Sequence, residues 1–157
     1  MLLLLAAVPA SADSFRQAEV RGTSMSPLIP PGTVVEIDYD YYENNPVERG
    51  HIVIVSHPGR DVPAIKTVRG IPADRFELKD NGAGVNILIN DKILINSQGA
   101  AYTLSGKRKK MLSLYSSGYG GIIPPGAYLI LGENPAGSFD STRFGLISSS
   151  RIIGRLR

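Results

Sequence analysis

The stretch Val85-Asn86-Ile87-Leu88-Ile89-Asn90-Asp91-Lys92-Ile93-Leu94-Ile95 decides the fold class of this chain. Two runs rich in β-branched residues flank Asn90-Asp91, a pair suited to a tight two-residue turn, so the segment is expected to form a β-hairpin. The same pattern extends outward. Short β-branched or aromatic runs at 33–38, 51–55, 62–68, 76–79 and 127–131 are separated by Gly, Pro and Asn, punctuation that ends one strand and turns the chain into the next. The expected fold is mainly β, a barrel or sandwich with few short helices. Residues 107–115 are the one helix candidate; four consecutive basic residues open it and its apolar stripe is short. No internal repeat is evident.

At 157 residues the chain can bury a core without metal or disulfide staples. It has no cysteine, which removes thiol chemistry and Cys-ligated zinc, and its two histidines argue against a His-rich metal site. No cofactor is expected. A net charge of +3 suits work beside an anionic membrane surface but is too small to indicate nucleic acid. Residues 1–12 are apolar and end in Ala10-Ser11-Ala12, the small-residue pattern of an export cleavage site. That run falls short of the about 20 apolar residues a spanning helix needs. It reads as an export signal or a truncated membrane anchor, followed by a single β domain over 13–157, within which about 81–121 is expected to be an insertion or cap.

Two residues carry the chemistry. Ser24 lies in Gly22-Thr23-Ser24-Met25-Ser26-Pro27, a turn bounded by Gly and Pro; Lys66 lies in Ala64-Ile65-Lys66-Thr67-Val68, an apolar stretch. Burial disfavours the charged form of an amine and can lower a lysine pKa by up to roughly 3–5 units. Lys107, Lys109 and Lys110 share a run with Arg108, where water keeps an amine near its reference pKa of about 10.4 and useless as a base at neutral pH. Ser24 and Lys66 therefore read as a nucleophile and its general base, a dyad that needs neither histidine nor metal.

The order of short motifs extends this reading. Ser24-Met25-Ser26-Pro27, Pro31-Gly32 leading into Thr33-Val34-Val35, Arg49-Gly50-His51-Ile52-Val53, Ile65-Lys66, and Gly132-Glu133-Asn134-Pro135-Ala136-Gly137-Ser138-Phe139-Asp140-Ser141 resemble, in sequence, the boxes of bacterial type I signal peptidases. The likeness covers roughly residues 18–157. It implies a signal-peptidase-like β domain on the extracytoplasmic face of the cell membrane, cutting exported preproteins after small residues, in contact with membrane lipid and without nucleic acid. The resemblance also assigns supporting residues. Ser138 would orient the amine, Asp140 would enter a buried salt bridge, Ser141 belongs to the same box, and Met25 and Pro27 would anchor the nucleophile's turn beside a surface facing lipid and substrate. The oxyanion would rest on the Ser24 N–H, while Gly22 brings no hydroxyl where some relatives have one. The chain departs from the family where Asp-Ser is usually followed by Arg: Thr142 stands there, which leaves the partner of Asp140 open, with Arg143 as one candidate. His51 lies in a different box from the base, and His57, before Pro58-Gly59, reads as a turn residue.

Three other readings stand beside this one. A dedicated maturation peptidase of the same superfamily would act on one partner, such as a conjugative pilin or a metalloenzyme precursor. A self-cleaving repressor would share the dyad, but no DNA-binding helix pair precedes Ser24. An inactive domain would keep only a peptide-binding groove; intact Ser24 and Lys66 weigh against it.

Overall fold

A computed structural model describes residues 15–157; the apolar run at 1–12 lies outside the described residues. The chain runs β1 (Phe15–Glu19), β2 (Val34–Asp38), α1 (Tyr41–Asn44), β3 (Ile52–Val55), β4 (Ala64–Gly70), β5 (Phe76–Asp80), β6 (Val85–Ile89), β7 (Lys92–Ile93), β8 (Thr103–Leu104), α2 (Gly106–Gly118), β9 (Ala127–Leu131), α3 (Ser141–Phe144), β10 (Ile147–Ser148) and β11 (Ile152–Leu156), with one 3-10 turn at Ser149–Arg151. The mainly β expectation holds.

The hairpin that opened the reading is β6–β7. Its turn places Asn90 at φ 50° and Asp91 at φ 68°, the left-handed pair of a two-residue turn whose twist matches the strands it joins. With β5 and β8 it forms a four-stranded sheet. A second, seven-stranded antiparallel sheet has the order β1-β2-β11-β3-β4-β9-β10. β4 begins at Ala64 rather than Val62, because Pro63 has no N–H to give a ladder.

The core is layered around β9. Leu129 and Leu131 pack with Phe76, Ile87, Tyr102 and the α2 residue Leu112, whereas Tyr128 and Ile130 pack with Val53, Val68 and Ile152. Alternate side chains of one strand thus fill two cores, and the burial of both faces explains why Tyr128-Leu129-Ile130-Leu131 is an unbroken apolar run. A third cluster joins Met25, Ile29, Ile37, Ile54 and Leu156. It holds the turn containing Ser24 against the large sheet.

Four strands, β1, β8, β10 and β11, were not foreseen. β11 is interior to the large sheet, between β2 and β3, although Gly154 and Arg155 weaken its strand pattern. Gly154 marks a register shift against β3, and a Cβ there would lie 3.0 Å from an Ile37 methyl and 3.1 Å from the Asp38 carbonyl oxygen. Close approach explains the glycine. The Arg155 guanidinium lies over the Tyr41 ring at 4.4 Å.

The small sheet is tied to the end of β9 by Tyr102, which is fully buried and donates its hydroxyl to the Gly132 carbonyl at 2.6 Å. Tyr102→Phe leaves that acceptor without its donor inside the protein. The expected cost is about 1–3 kcal/mol, read as a lower urea midpoint at unchanged slope.

Candidate active site

Three segments converge on one groove. The turn after β1 presents Ser24, β4 presents Lys66, and the loop between β9 and α3 presents Ser138, with Asp140 buried behind it. The groove has a volume of about 560 Å³ and includes Val20, Met25, Ile54, Ala64 and Ile65 among its apolar walls. Met25 is 1% exposed, so the residue next to Ser24 is locked in the core while Ser24 itself stays half-buried and open to the groove. Pro27 is exposed on the same turn, and Gly22 lies exposed at the groove wall.

Lys66 sits opposite Val53 in the β3–β4 register and is 2% exposed. Its Nζ donates to Ser24 Oγ at 2.9 Å and to the Ile65 carbonyl at 2.7 Å. Burial lowers its pKa from 10.5 to about 8; Asp140 opposes that shift and Arg60 assists it. At that pKa about a tenth of the amine is neutral at pH 7 and half at pH 8, and a neutral amine in contact with a hydroxyl can take its proton.

Asp140 is fully buried and accepts four hydrogen bonds. Oδ2 takes the Gly132 N–H at 3.0 Å and the Ser138 hydroxyl at 2.5 Å; Oδ1 takes the Thr142 N–H at 3.0 Å and its hydroxyl at 2.7 Å. Ser138, expected at the amine, thus spends its proton on Asp140. Arg143, a candidate partner of Asp140, is exposed and donates through Nε to the Ser138 carbonyl at 3.1 Å. Ser141 is buried, and its hydroxyl accepts the Ile130 N–H at 2.9 Å, fixing α3 on β9.

Two backbone contacts bring these parts to register. The Glu133 N–H donates to the Ser24 carbonyl at 2.7 Å. At Gly132, a Cβ would lie 2.7 Å from that same carbonyl oxygen and would overlap the Ser138 side chain. Glycine is what lets the loop touch the Ser24 turn. Glu133, 1% exposed, pairs with Arg69 at 3.1 Å and accepts the Ser97 N–H at 2.8 Å.

Several contributors escaped the sequence reading. Arg60 lies over the Phe139 ring at 3.9 Å, and Phe139 also packs on His57 and Phe144. His51 contacts Tyr42 and is not part of the groove. Arg108 is half-buried, not solvated with Lys107, Lys109 and Lys110. A signal existed for it: Arg108 and the buried Leu112 are four apart on α2, hence on one face.

A groove whose floor holds a serine hydroxyl on a buried amine has the chemistry of a serine hydrolase. The family described as signal peptidase, peptidase S26, matches residues 1–157. Signal peptidase IB of Staphylococcus aureus strain Mu50 is 30% identical over 142 residues, covering 87% of this chain and 73% of that protein. Signal peptidase I of Bacillus caldolyticus is 28% identical over 142 residues, covering 90% and 77%. The crystal structure of a signal peptidase I from Enterococcus faecalis V583 superposes with a TM-score of 0.52 at 23% identity, covering 72% of this chain and 98% of that one; at that identity it speaks for the fold. The chain belongs to the peptidase S26 signal peptidase family and is a serine endopeptidase of the signal peptidase I type.

Burial of Lys66 has a thermodynamic consequence. Between pH 8 and 10.5 the folded chain has released a proton that unfolded chains still bind at this lysine, so its contribution to stability rises with pH across that window. Below it, the buried charge costs about 3 kcal/mol at about 1.4 kcal/mol per pKa unit. Lys66→Met is expected to be more stable than wild type at pH 7 by up to about that amount, and the gap should shrink toward pH 10.5. Paired urea unfolding curves across pH check this.

Proposed function

We propose that the protein removes signal peptides from exported preproteins, with Ser24 as nucleophile and Lys66 as general base. The observation that carries this reading is the 2.9 Å contact between Lys66 Nζ and Ser24 Oγ, made by an amine whose pKa burial has lowered to about 8. Neutral Lys66 takes the hydroxyl proton as Oγ attacks the scissile carbonyl. The ammonium then protonates the departing amine, leaving an acyl-enzyme on Ser24 and a neutral lysine. Water, deprotonated by the same lysine, hydrolyses the ester. The Ser24 N–H faces the developing oxyanion.

The apolar part of the lining, Val20, Ala64 and Ile65 among it, suits small apolar residues at the first and third positions before the bond. Membrane association is part of the same proposal. Leu28, Val34 and Val62 are exposed, and Val62 lines the groove, so apolar surface continues from the site outward. Among the described residues, no helix is long and apolar enough to cross a membrane.

The test is cleavage of a preprotein with an Ala-x-Ala site in detergent. Ser24→Ala and Lys66→Ala are each expected to lose at least roughly 10,000-fold in turnover, and the wild-type rate should rise with pH through about 8, following the neutral amine. Robust cleavage by Lys66→Ala would remove the lysine from its role. Cutting of one precursor alone from a panel would point to a dedicated maturation peptidase, and wild-type inactivity on all of them to a peptide-binding domain.

A further inference from the structure

We infer that Arg108 is a positioning residue for this reaction, acting on Asp140 and Ser138 through the hydroxyl of Thr142 and the backbone of the 135–137 loop. The inference rests on the Ser24–Lys66 reading above.

Asp140 carries a buried charge, yet among the described residues no cation makes a salt bridge to it. The route to a cation runs through Thr142. Arg108 Nε donates to Thr142 Oγ1 at 2.9 Å, and that hydroxyl donates to Asp140 Oδ1 at 2.7 Å. The polarity is consistent along the chain: a hydroxyl that accepts from a cation on one side becomes a stronger donor to an anion on the other. Thr142 cannot carry charge itself, so it passes on the influence of a guanidinium that comes from α2.

The same guanidinium holds the other end of the loop. Nη1 donates to the Pro135 carbonyl at 3.2 Å. Gly137 has φ +130°, and a Cβ on it would lie 3.2 Å from Arg108 Cζ, so the planar group lies flat against backbone that only glycine leaves free. Pro135 and Thr142 bracket Ser138 and Asp140. One side chain therefore clamps both ends of the segment that faces Lys66. Its remaining nitrogen, Nη2, is buried without a hydrogen-bond partner, an uncompensated desolvation that surface charge–charge contacts would not demand.

The electrostatic sense follows from what faces the amine. Toward Lys66 stand Asp140 from the loop after β9, which favours its protonated form, and Arg60 from the β3–β4 loop, which disfavours it. Arg108 from α2 stands near Asp140, with Arg143 from the last turn of α3 beside it; the Glu133–Arg69 pair and Tyr102 complete the surroundings. Arg108 acts on Asp140 through Thr142 and not on the amine directly, so its removal leaves the Asp140 charge less offset and is expected to push the Lys66 titration upward.

Arg108→Met is expected to lower kcat roughly 10- to 100-fold by loosening the loop, with little change in KM, and to move the rising limb of the pH–rate profile to higher pH. Arg108→Lys keeps the charge and should return the limb toward its wild-type position while recovering only part of kcat. Thr142→Val should reproduce the Arg108→Met phenotype, Thr142→Ser should rescue it, and Arg108→Met with Thr142→Val together should lose no more than either alone. Thermal melting in parallel identifies a variant that has merely unfolded, and the Thr142 pair tests the relay if Arg108→Met does so. A wild-type kcat and pH limb in Arg108→Met, or losses that multiply in the double variant, overturns the relay. Loss of cleavage in Ser24→Ala and Lys66→Ala alongside a normal Arg108→Met would leave the dyad standing and this inference refuted; active Lys66→Ala would remove the dyad first.

Discussion

An amine held out of water beside a carboxylate, yet not paired with it, is the constraint on which the site depends. Desolvation alone favours neutral Lys66, but Asp140 is close enough to pull the other way. A direct ion pair would hold the amine protonated. The structure avoids this by occupying both carboxylate oxygens with the Gly132 and Thr142 N–H groups and the Ser138 and Thr142 hydroxyls. What is left for Lys66 is the Ser24 hydroxyl and its neighbouring carbonyl.

That arrangement needs the loop after β9 to be placed from several directions, which gives the small sheet and α2 a mechanical part in the site. Tyr102 reaches the Gly132 carbonyl, Asn96 donates to the Glu133 carbonyl at 3.0 Å, Ser97 meets the Glu133 carboxylate, and Arg108 spans Pro135 and Thr142. On the opposite side the loop is pinned to the Ser24 turn by Glu133 N–H. Core cluster and loop are continuous, because Leu131, packed with Leu129 beneath the small sheet, immediately precedes Gly132.

The parts legible in the sequence were those encoded locally. The β6–β7 hairpin announced itself by Asn90-Asp91 between β-branched runs, β9 by its apolar run, and the contact between Ser24 and Lys66 by the ordered boxes around them. β11 was not legible, because its pairing with β2 and β3 is long-range and its Gly154 serves a close approach that only the assembled sheet reveals. The length of α2 was underestimated since its outer face is polar and one buried residue, Leu112, supplies the anchor. The surroundings of Asp140 were misjudged for a related reason. Proximity in sequence suggested Arg143, whereas α3 turns that side chain outward to the Ser138 carbonyl and leaves position 142 facing the carboxylate.

Thr142 makes this last point general. An arginine at that position brings charge and geometry in one side chain; a threonine brings only a hydroxyl, which must be oriented from outside if it is to donate to Asp140 rather than to water or backbone. Its Oγ1 is fixed because Arg108 Nε occupies its acceptor side, so the value of each residue is conditional on the other. Arg108 in turn is useful only because Gly137 leaves backbone bare for it to cover. A charged run that composition alone assigns to solvent can therefore hold one member that the fold turns inward, and the helical spacing from Arg108 to Leu112 decides which member that is.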